Sequence, residues 1–204
     1  MSEYKIDEKS PAVFDERMKV RDSGMPEAGY WESLFDVPLI LSRMQVEWAG
    51  NVAEVGCGYG TFTIAAARLI RGRVFAIDID PQMTEAVAGR AKAEGLLNVE
   101  IMLRDIADEG TGLAEGSVDY VMLFNILHHD NPGQLLAEAR RILKPGGIVG
   151  CIHWNYDTQA PRGPALEIRP RPEQIRQWIL ESGFAVCGGQ IDLPPYHYGW
   201  LGQA

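Results

Sequence analysis

The feature that most constrains the fold is a glycine-rich turn between a predicted strand and a predicted helix. Residues 52–60 read VAEVGCGYG, a short apolar run that ends in Gly56, Gly58 and Gly60. The helix-forming run TFTIAAARLI follows at 61–70. A strand that turns through glycines into a helix N-terminus is typical of a β-α-β unit, and it lets a ligand approach the bare backbone. The turn therefore predicts an α/β fold with a nucleotide-like cofactor beside the glycines.

A second apolar run places an acid beside this turn. Residues 73–78 read RVFAID, and Asp78 follows the glycines by roughly 20 residues, the spacing of the ribose-binding acid in a β-α-β nucleotide unit. A carboxylate at the end of the neighbouring strand can accept hydrogen bonds from both ribose hydroxyls. Asp78 is therefore predicted to bind the ribose, and a plain strand-end cap is the alternative.

The charges near the turn select the cofactor. Glu54 lies within the first strand, and Asp78, Asp80 and Asp105 end or follow the next two strands. Such a cluster repels a pyrophosphate and attracts a cation. The glycine spacing is G-x-G-x-G, which differs from the dinucleotide pattern G-x-G-x-x-G. S-adenosylmethionine has no phosphate and carries a sulfonium and an ammonium, so the sequence favours it over NAD or ATP.

The rest of the chain alternates predicted strands with predicted helices, which indicates a doubly wound, mostly parallel sheet with its ligand crevice at the carboxyl ends of the strands. Two further strands and a helix are expected near the C-terminus. The predicted strands are 52–55, 73–78, 99–103, 118–124, 147–153, 184–191 and 196–201, and the predicted helices are 61–70, 81–94, 131–143 and 172–182.

Two helices, at 11–22 and 31–48, are predicted before the glycine turn, with a turn-rich linker at 22–29 between them. We expect one structural domain, in which residues 1–48 form a helical lid segment and residues 49–204 bind the cofactor. Tyr30 and Trp31 follow the hinge at Gly29 and are the residues that would cover the transferred methyl group. Core packing is the alternative for this aromatic pair.

In their order along the chain, these motifs resemble the class I S-adenosylmethionine-dependent methyltransferases. The resemblance covers roughly residues 50–154 and is nearest to the small-molecule branch that includes the ubiquinone and menaquinone biosynthesis methyltransferases. It implies a Rossmann-like, seven-stranded, mostly parallel sheet that ends in an antiparallel hairpin. The motifs that carry it are VAEVGCGYG at 52–60, AIDIDP at 76–81, RDI at 104–106, the strand 119–125 with ILHH at 126–129, and LKPGG at 143–147.

The resemblance also implies roles for single residues at the cofactor. Glu54 would lie near the cofactor's ammonium, directly or through water, and Asp105 near the adenine amino group. Ile79 and Ile106 would hold the adenine ring between them, with core packing as the alternative. Asn125 ends the fourth strand, where the family contacts the methionine moiety and admits the acceptor. The three glycines would face the methionine part of the cofactor.

Three histidines are candidates for work on the acceptor. His128 and His129 follow the fourth strand, and His153 ends the fifth. A histidine can remove a proton from a substrate hydroxyl or thiol, and all three are expected to open toward the crevice. The sequence does not choose among them, and packing or capping is the alternative for each. The expected reaction is in-line displacement at the sulfonium methyl, in which a base is needed only if the acceptor must lose a proton.

Composition narrows the partners. The net charge of -9 and pI near 4.9 argue against a nucleic-acid partner, because Lys and Arg contacts to phosphate supply most of the affinity for such polymers. No apolar run reaches the ~20 residues of a membrane span, and the polar, charged start of the chain has no signal-peptide core, so we expect a cytoplasmic protein without a membrane partner. The three cysteines have neither C-x-x-C nor zinc spacing. Asn125 stands where metal-dependent relatives place an aspartate, so no metal is expected.

The sequence therefore predicts methyl transfer to a small-molecule acceptor. A methyltransferase that acts on protein or RNA, and a module that binds S-adenosylmethionine without turnover, remain alternatives. A local basic patch of Arg162, Arg169 and Arg171 is either a site for an anionic substrate or a solvated loop face. Neither the acceptor atom nor the oligomeric state follows from the sequence.

Overall fold

The computed structural model describes residues 25–157 and 160–204, so the predicted helix at 11–22 lies outside the described residues. Helices and strands alternate through most of this range, as the sequence predicts. The strands are β1 Val52–Val55, β2 Val74–Asp78, β3 Val99–Leu103, β4 Val118–Phe124, β5 Leu143–Trp154, β6 Ala185–Leu193 and β7 His197–Gln203. The helices are α1 Ala28–Glu32, α2 Val37–Arg43, α3 Thr61–Leu69, α4 Pro81–Ala93, α5 Ile106–Glu109, α6 Pro132–Ile142 and α7 Pro172–Glu181, and a 3₁₀ turn spans Val46–Trp48.

The seven strands form one sheet in the order β3-β2-β1-β4-β5-β7-β6. Strands β1 to β5 pair in parallel, whereas β7 runs antiparallel between β5 and β6. The Rossmann-like sheet with an antiparallel C-terminal hairpin is therefore confirmed. Because β1 lies between β2 and β4, the strand order reverses at β1, and a ligand crevice is expected beside the carboxyl end of this strand.

Both faces of the sheet are covered, which explains the nearly continuous apolar runs of the central strands. All four residues of β1 are buried. On one face, Leu123 packs with Leu136 of α6 and Ile179 of α7 in a common core. On the other face, Met122 packs with Ile40 of α2 and with Trp154. The two cores hold the strand ends rigidly, so the loops that follow β1, β2 and β4 have fixed starting points.

The single helix predicted over 31–48 is wrong, because the chain breaks there twice. Asp36 begins α2 as its N-cap, with Oδ1 accepting a hydrogen bond from the Leu39 N–H at 3.1 Å. Pro38 lies in the first turn of α2, where its missing N–H costs nothing, but it could not continue a preceding helix. Gln45 then takes a left-handed backbone conformation with φ of 61° and ends the segment.

The LKPGG motif also differs from its prediction, since β5 begins at Leu143 and not at 147. Leu143 pairs with Val118, and the register then shifts so that Tyr120 pairs with Ile148. The residues in between bulge out of the strand. The Nζ of Lys144 lies 2.8 and 2.9 Å from the two carboxylate oxygens of Asp119, which holds this bulge against β4. The motif therefore has a structural role where β4 begins, at the opposite end of the strands from the crevice.

Candidate active site

A cavity of about 640 Å³ opens at the carboxyl ends of the central strands. It extends from the ends of β2 and β3, past the loop after β1, to the end of β4. Most of the predicted site residues line it, including His128 and His129. The predicted residues among its lining are Glu54, Gly56, Gly58, Asp78, Ile79, Asp105, Ile106, Asn125, His128 and His129. Gly60, Tyr30 and His153 are not part of the lining.

The three glycines all have left-handed backbone conformations, but their surroundings differ. Their φ angles are 73° at Gly56, 51° at Gly58 and 78° at Gly60. A Cβ atom at Gly60 would lie 3.0 Å from Val87 Cγ2 of α4, so this glycine allows close packing between the turn and a helix. Gly56 and Gly58 face the cavity. The sequence pattern treats the three glycines alike, whereas only two of them border the ligand space.

Asp78 connects β2 to the glycine loop. Its Oδ2 accepts a hydrogen bond from the Gly58 N–H at 2.8 Å, and its Oδ1 accepts one from the Asp80 N–H at 3.0 Å. Burial raises the pKa of Asp78, and the two backbone hydrogen bonds oppose that rise. The carboxylate is thus fixed in orientation at the cavity wall, as a hydrogen-bond acceptor for a ligand hydroxyl must be.

Asp105 and Ile106, which follow β3, lie at the same end of the cavity as Ile79, which follows β2. Asp105 caps α5, with Oδ1 accepting a hydrogen bond from the Ala107 N–H at 3.0 Å. Ile106 is 9% exposed and belongs to the core, whereas Ile79 is 41% exposed. Core packing therefore explains much of the burial of Ile106, whereas the exposed surface of Ile79 offers an apolar face to a ligand.

Glu54 is the most unusual charge in the site. Its side chain is 2% exposed, and it lies within β1 at the cavity wall. The hydroxyl of Thr63 on α3 is hydrogen-bonded to its Oε2. Burial, with a smaller contribution from the charge of Asp78, raises the pKa of Glu54 to about 8, while the Thr63 hydrogen bond opposes the rise. Sequence reasoning missed Thr63; its only signal was a hydroxyl residue in the first turn after the glycines.

Asn125 leaves β4 in a conformation that few residues adopt. Its φ of 57° lies in the left-handed region, which asparagine tolerates better than most side chains. Its N–H donates to the Ile152 carbonyl at 2.9 Å. Its Oδ1 is buried and has no hydrogen-bond partner among the described residues. A buried, unpaired amide oxygen in a cavity wall is available to a ligand donor.

The histidines divide into two that line the cavity and one that lies behind it. His153 is fully buried, and its Nε2 is 3.4 Å from Nδ1 of His128. It therefore reaches the cavity only through His128, which corrects the expectation that all three open toward the crevice. Burial, and secondarily the charge of His129, lowers the pKa of His128 to about 4. Nδ1 of His129 accepts a hydrogen bond from the Asn131 N–H at 3.3 Å.

The segment before β1 contacts the cavity through Met25 and Trp31. Tyr30 is 46% exposed and does not line the cavity, because neighbouring residues of α1 point in different directions. Of the predicted aromatic pair, Trp31 lines the cavity and Tyr30 does not. Trp31 packs edge-on against Trp154 of β5, with 6.1 Å between ring centroids. It thus occupies a position between the sheet and the cavity.

Two hydrogen-bonded links fasten this segment to the glycine loop. The Tyr59 hydroxyl donates to the Pro26 carbonyl at 2.9 Å. Nη1 of Arg90 on α4 donates to the Tyr59 carbonyl at 2.8 Å and to Glu32 at 2.5 Å. The loop, the segment and α4 are therefore joined at the rim of the cavity.

The arginine patch predicted after β5 lies apart from the cavity at the strand ends. Arg169 is 7% exposed, and its guanidinium donates to the backbone carbonyls of Asn155, Asp157, Arg162 and Pro164. It therefore holds the loop together from inside. The guanidinium carbon of Arg171 lies 3.9 Å from the ring centroid of Tyr156. None of the three arginines lines the 640 Å³ cavity.

Two further features are absent from the part of the chain that the structure describes. Over residues 25–157 and 160–204, no group of three or more His, Cys, Asp or Glu side chains could hold a metal ion. Within the same ranges, no helix is both long and apolar enough to cross a membrane.

Comparison with known proteins gives consistent matches. Residues 52–147 match the sequence family described as a methyltransferase domain. An uncharacterized 37.1 kDa protein in a transposon of Streptomyces fradiae is 33% identical over 157 residues, which are 75% of this chain and 44% of that protein. A demethylmenaquinone methyltransferase of Staphylococcus epidermidis is 26% identical over 168 residues, 81% of this chain and 64% of that enzyme.

A shorter match is to an enzyme that is named for a protein acceptor. A ribosomal protein L11 methyltransferase of Dechloromonas aromatica is 39% identical over 114 residues, 52% of this chain and 35% of that enzyme. The chain spans less than two thirds of each of these curated relatives. A crystal structure of an S-adenosylmethionine-dependent methyltransferase from Aquifex aeolicus superposes with a TM-score of 0.75, at 23% identity, over 94% of this chain and 99% of that one. Residues 52–147 therefore form a methyltransferase domain, and the chain has the fold of the class I S-adenosylmethionine-dependent methyltransferases, whose cofactor is S-adenosylmethionine.

Proposed function

We propose that this chain transfers the methyl group of S-adenosylmethionine to a small-molecule acceptor. The observation that carries the proposal is the content of one cavity, in which an acidic wall meets an apolar one. Asp78 and Glu54 lie in the acidic wall, and Trp31, Phe62 and Phe124 lie in the apolar one. A sulfonium cofactor suits the first wall, and a compact organic acceptor suits the second.

The proposed cofactor pose follows the order of the strands. The ribose hydroxyls donate to Asp78, and the adenine lies between Ile79 and Ile106 with its amino group near Asp105. The methionine part passes Gly56 and Gly58, with its ammonium near Glu54 and a donor near the unpaired Oδ1 of Asn125. The contact geometry of Asp78 supports this pose, because its oxygens are oriented by Gly58 and Asp80 before any ligand arrives.

The acceptor is proposed to enter beside β4, where His128 and His129 line the cavity. Displacement requires the attacking atom about 3 Å from the methyl carbon, opposite the sulfur, in a site that excludes water. The apolar side chains supply that exclusion, and the histidines orient the acceptor or take its proton. His153 contributes through His128. Positioning provides most of the rate in such a reaction.

A protein acceptor is the second candidate, because of the match to ribosomal protein L11 methyltransferases. The contacts of Met25 and Trp31 at the cavity favour the small molecule, since a polypeptide needs an open groove at the transferred methyl. The net charge of -9 disfavours RNA. The demethylmenaquinone methyltransferase relatives cover more of this chain and also favour a small acceptor.

The N-terminal segment is proposed to act as the lid of this site. Its described part, residues 25–32, is fastened to the glycine loop by the Tyr59–Pro26 hydrogen bond and to α4 by the contact of Arg90 with Glu32, and an opening motion would break these contacts. Trp31 would then leave the cavity when the acceptor enters and return to exclude water. The lid belongs to residues 1–48, and residues 49–204 form the cofactor-binding domain. Within the lid segment the moving part is proposed to be residues 25–32, because Ile40 and Leu41 of α2 are buried in the core.

Two measurements test the function. Calorimetry should show micromolar binding of S-adenosylmethionine or its demethylated product and no measurable binding of NAD. Transfer of a radiolabelled methyl group should then be measured against pooled small quinols, phenols and thiols, with ribosomal protein L11 and total RNA in parallel reactions. Comparable NAD binding would contradict the cofactor. Labelling of L11 alone would establish the second candidate, and binding without labelling of any pool would indicate a non-catalytic module.

A further inference from the structure

Glu54 is a carboxyl group without a counter-charge. It is 2% exposed, and no cationic side chain pairs with it among the described residues. The groups that face it are the Thr63 hydroxyl from α3, the Asp78 carboxylate from β2 and the Cys57 thiol from the glycine loop. Its β4 neighbour in the sheet is the apolar Met122. A buried acid in such surroundings is most stable without its charge.

Asp78 reinforces this asymmetry. Both of its oxygens accept backbone hydrogen bonds, which stabilise its charged form, whereas within the described part of the chain the hydrogen bonds to Glu54 come from Thr63 alone. Two carboxylates that lie side by side in the cavity wall repel each other, so the one that accepts fewer hydrogen bonds keeps its proton more readily. Of these two carboxyl groups, Glu54 is therefore the one that favours its neutral form.

We propose that the cofactor's ammonium expels the proton from Glu54, so that each molecule of cofactor bound releases a proton to the solvent. The inference rests on the proposed placement of the cofactor. Before binding, the acid is neutral and hydrogen-bonded to Thr63. After binding, its carboxylate pairs with the ammonium, and the Thr63 hydroxyl donates to it. The O–H bond of the acid breaks, and the proton passes to the buffer.

The linkage makes cofactor affinity dependent on pH. The raised pKa of Glu54, about 8, means that the free group is mostly protonated between pH 6.5 and 7.5. Over that interval affinity should rise with pH by up to about tenfold per unit, because a released proton is a product of binding. Carboxyl groups with ordinary pKa values would already be ionised in this pH interval, so cofactor affinity would not rise with pH.

Calorimetry in buffers of different ionisation enthalpy measures the released proton directly. The probe is S-adenosylhomocysteine, titrated at pH 7 in phosphate and in Tris. The dependence of the observed enthalpy on the buffer should give about one proton released. The same experiment with 5′-methylthioadenosine, which keeps the nucleoside and thioether but lacks the ammonium, should give none.

Two variants identify the acid. Glu54→Gln keeps the size and can still accept from Thr63, so it should bind without proton release and with a flat pH profile between 6.5 and 7.5. Asp78→Asn should bind more weakly and still release the proton. Glu100→Gln, in an exposed ion pair at the edge of the sheet, is the matched control and should behave as the wild type.

The outcomes separate this inference from the proposed function. Tight binding without buffer dependence would overturn the inference and leave the cofactor assignment intact. Release that persists in Glu54→Gln would overturn the assignment to Glu54. Absence of any binding would overturn both. A thermal unfolding scan of each variant shows that the protein is folded before it is titrated.

Discussion

The Asp78 carboxylate and the Gly58 backbone N–H are joined by a hydrogen bond of 2.8 Å between Oδ2 and N. This bond connects the two motifs that identify the cofactor site, the acid that ends β2 and the glycine turn after β1. The acid is therefore both a proposed ligand for the ribose and the anchor of the loop that would face the methionine part. Substitution of either residue should therefore affect the contacts to both the ribose and the methionine part of the cofactor.

Replacement of Asp78 by alanine tests this dual role. The change removes two charge-assisted hydrogen bonds to the proposed ribose, each worth on the order of 1.5–3 kcal/mol, so affinity for S-adenosylhomocysteine should fall by about tenfold or more. Calorimetry measures the loss, and circular dichroism should show an intact fold. Asp192→Ala, at an exposed acid in β6, is the control and should bind normally. Unchanged affinity in Asp78→Ala would place the ribose elsewhere.

Replacement of Gly58 by alanine separates backbone strain from ligand contact. Gly58 has a φ of 51°, and a Cβ there would lie 3.1 Å from Met25 Cε at the cavity wall. Gly116 has a φ of 61°, and a Cβ there would have no other atom within 4 Å, so Gly116→Ala carries the strain alone. Both variants should lose roughly 1–2 kcal/mol of stability in urea titrations.

Only Gly58→Ala should also lose affinity for S-adenosylhomocysteine, because only that methyl group projects beside the proposed ligand space. Equal affinities in the two variants would mean that the cofactor does not approach the loop at Gly58.

The turn and the acid illustrate what can be predicted from sequence. The glycine turn after β1 and Asp78 after β2 are predictable because residue type and spacing follow from backbone geometry within one β-α-β unit. The partner of Glu54 is not, because Thr63 meets it only after α3 packs on β1. The burial of His153 escapes prediction for a similar reason: its strand end is covered by a different element, the loop that carries His128. Pro38 does signal the break before α2, which the prediction of one helix over 31–48 overlooks.

The stability of the ligand-free protein should depend on pH because of Glu54. Its pKa in the folded protein is about 8 and lies above the ordinary value of 4.5, so the folded state binds more protons than the unfolded state between these limits. The contribution of this group is complete below pH 4.5 and is lost as pH rises through about 8. The difference in unfolding free energy between wild type and Glu54→Gln should therefore move in favour of the variant from pH 5 to pH 8.

Chemical denaturation at several pH values measures that difference. The Glu100→Gln control should stay parallel to the wild type throughout, since Glu100 is exposed. A constant difference between wild type and Glu54→Gln would mean that Glu54 is already charged in the folded protein at pH 5.

The lid proposal gives the last prediction, and Trp31 is the residue that tests it. Trp31 lines the cavity and packs on Trp154, whereas Trp48 is 82% exposed and outside the cavity. Trp31→Ala should keep affinity for S-adenosylhomocysteine within about tenfold and abolish methyl transfer to the acceptor found in the screen, because water enters the site. Trp48→Ala should retain both properties. Hydrogen exchange tests the motion without an acceptor: amides of residues 25–32 should exchange quickly in the free protein and slow down when S-adenosylhomocysteine is added. If those amides are as protected as the β4 amides before ligand is added, the segment is fixed packing, and residues 25–32 do not open.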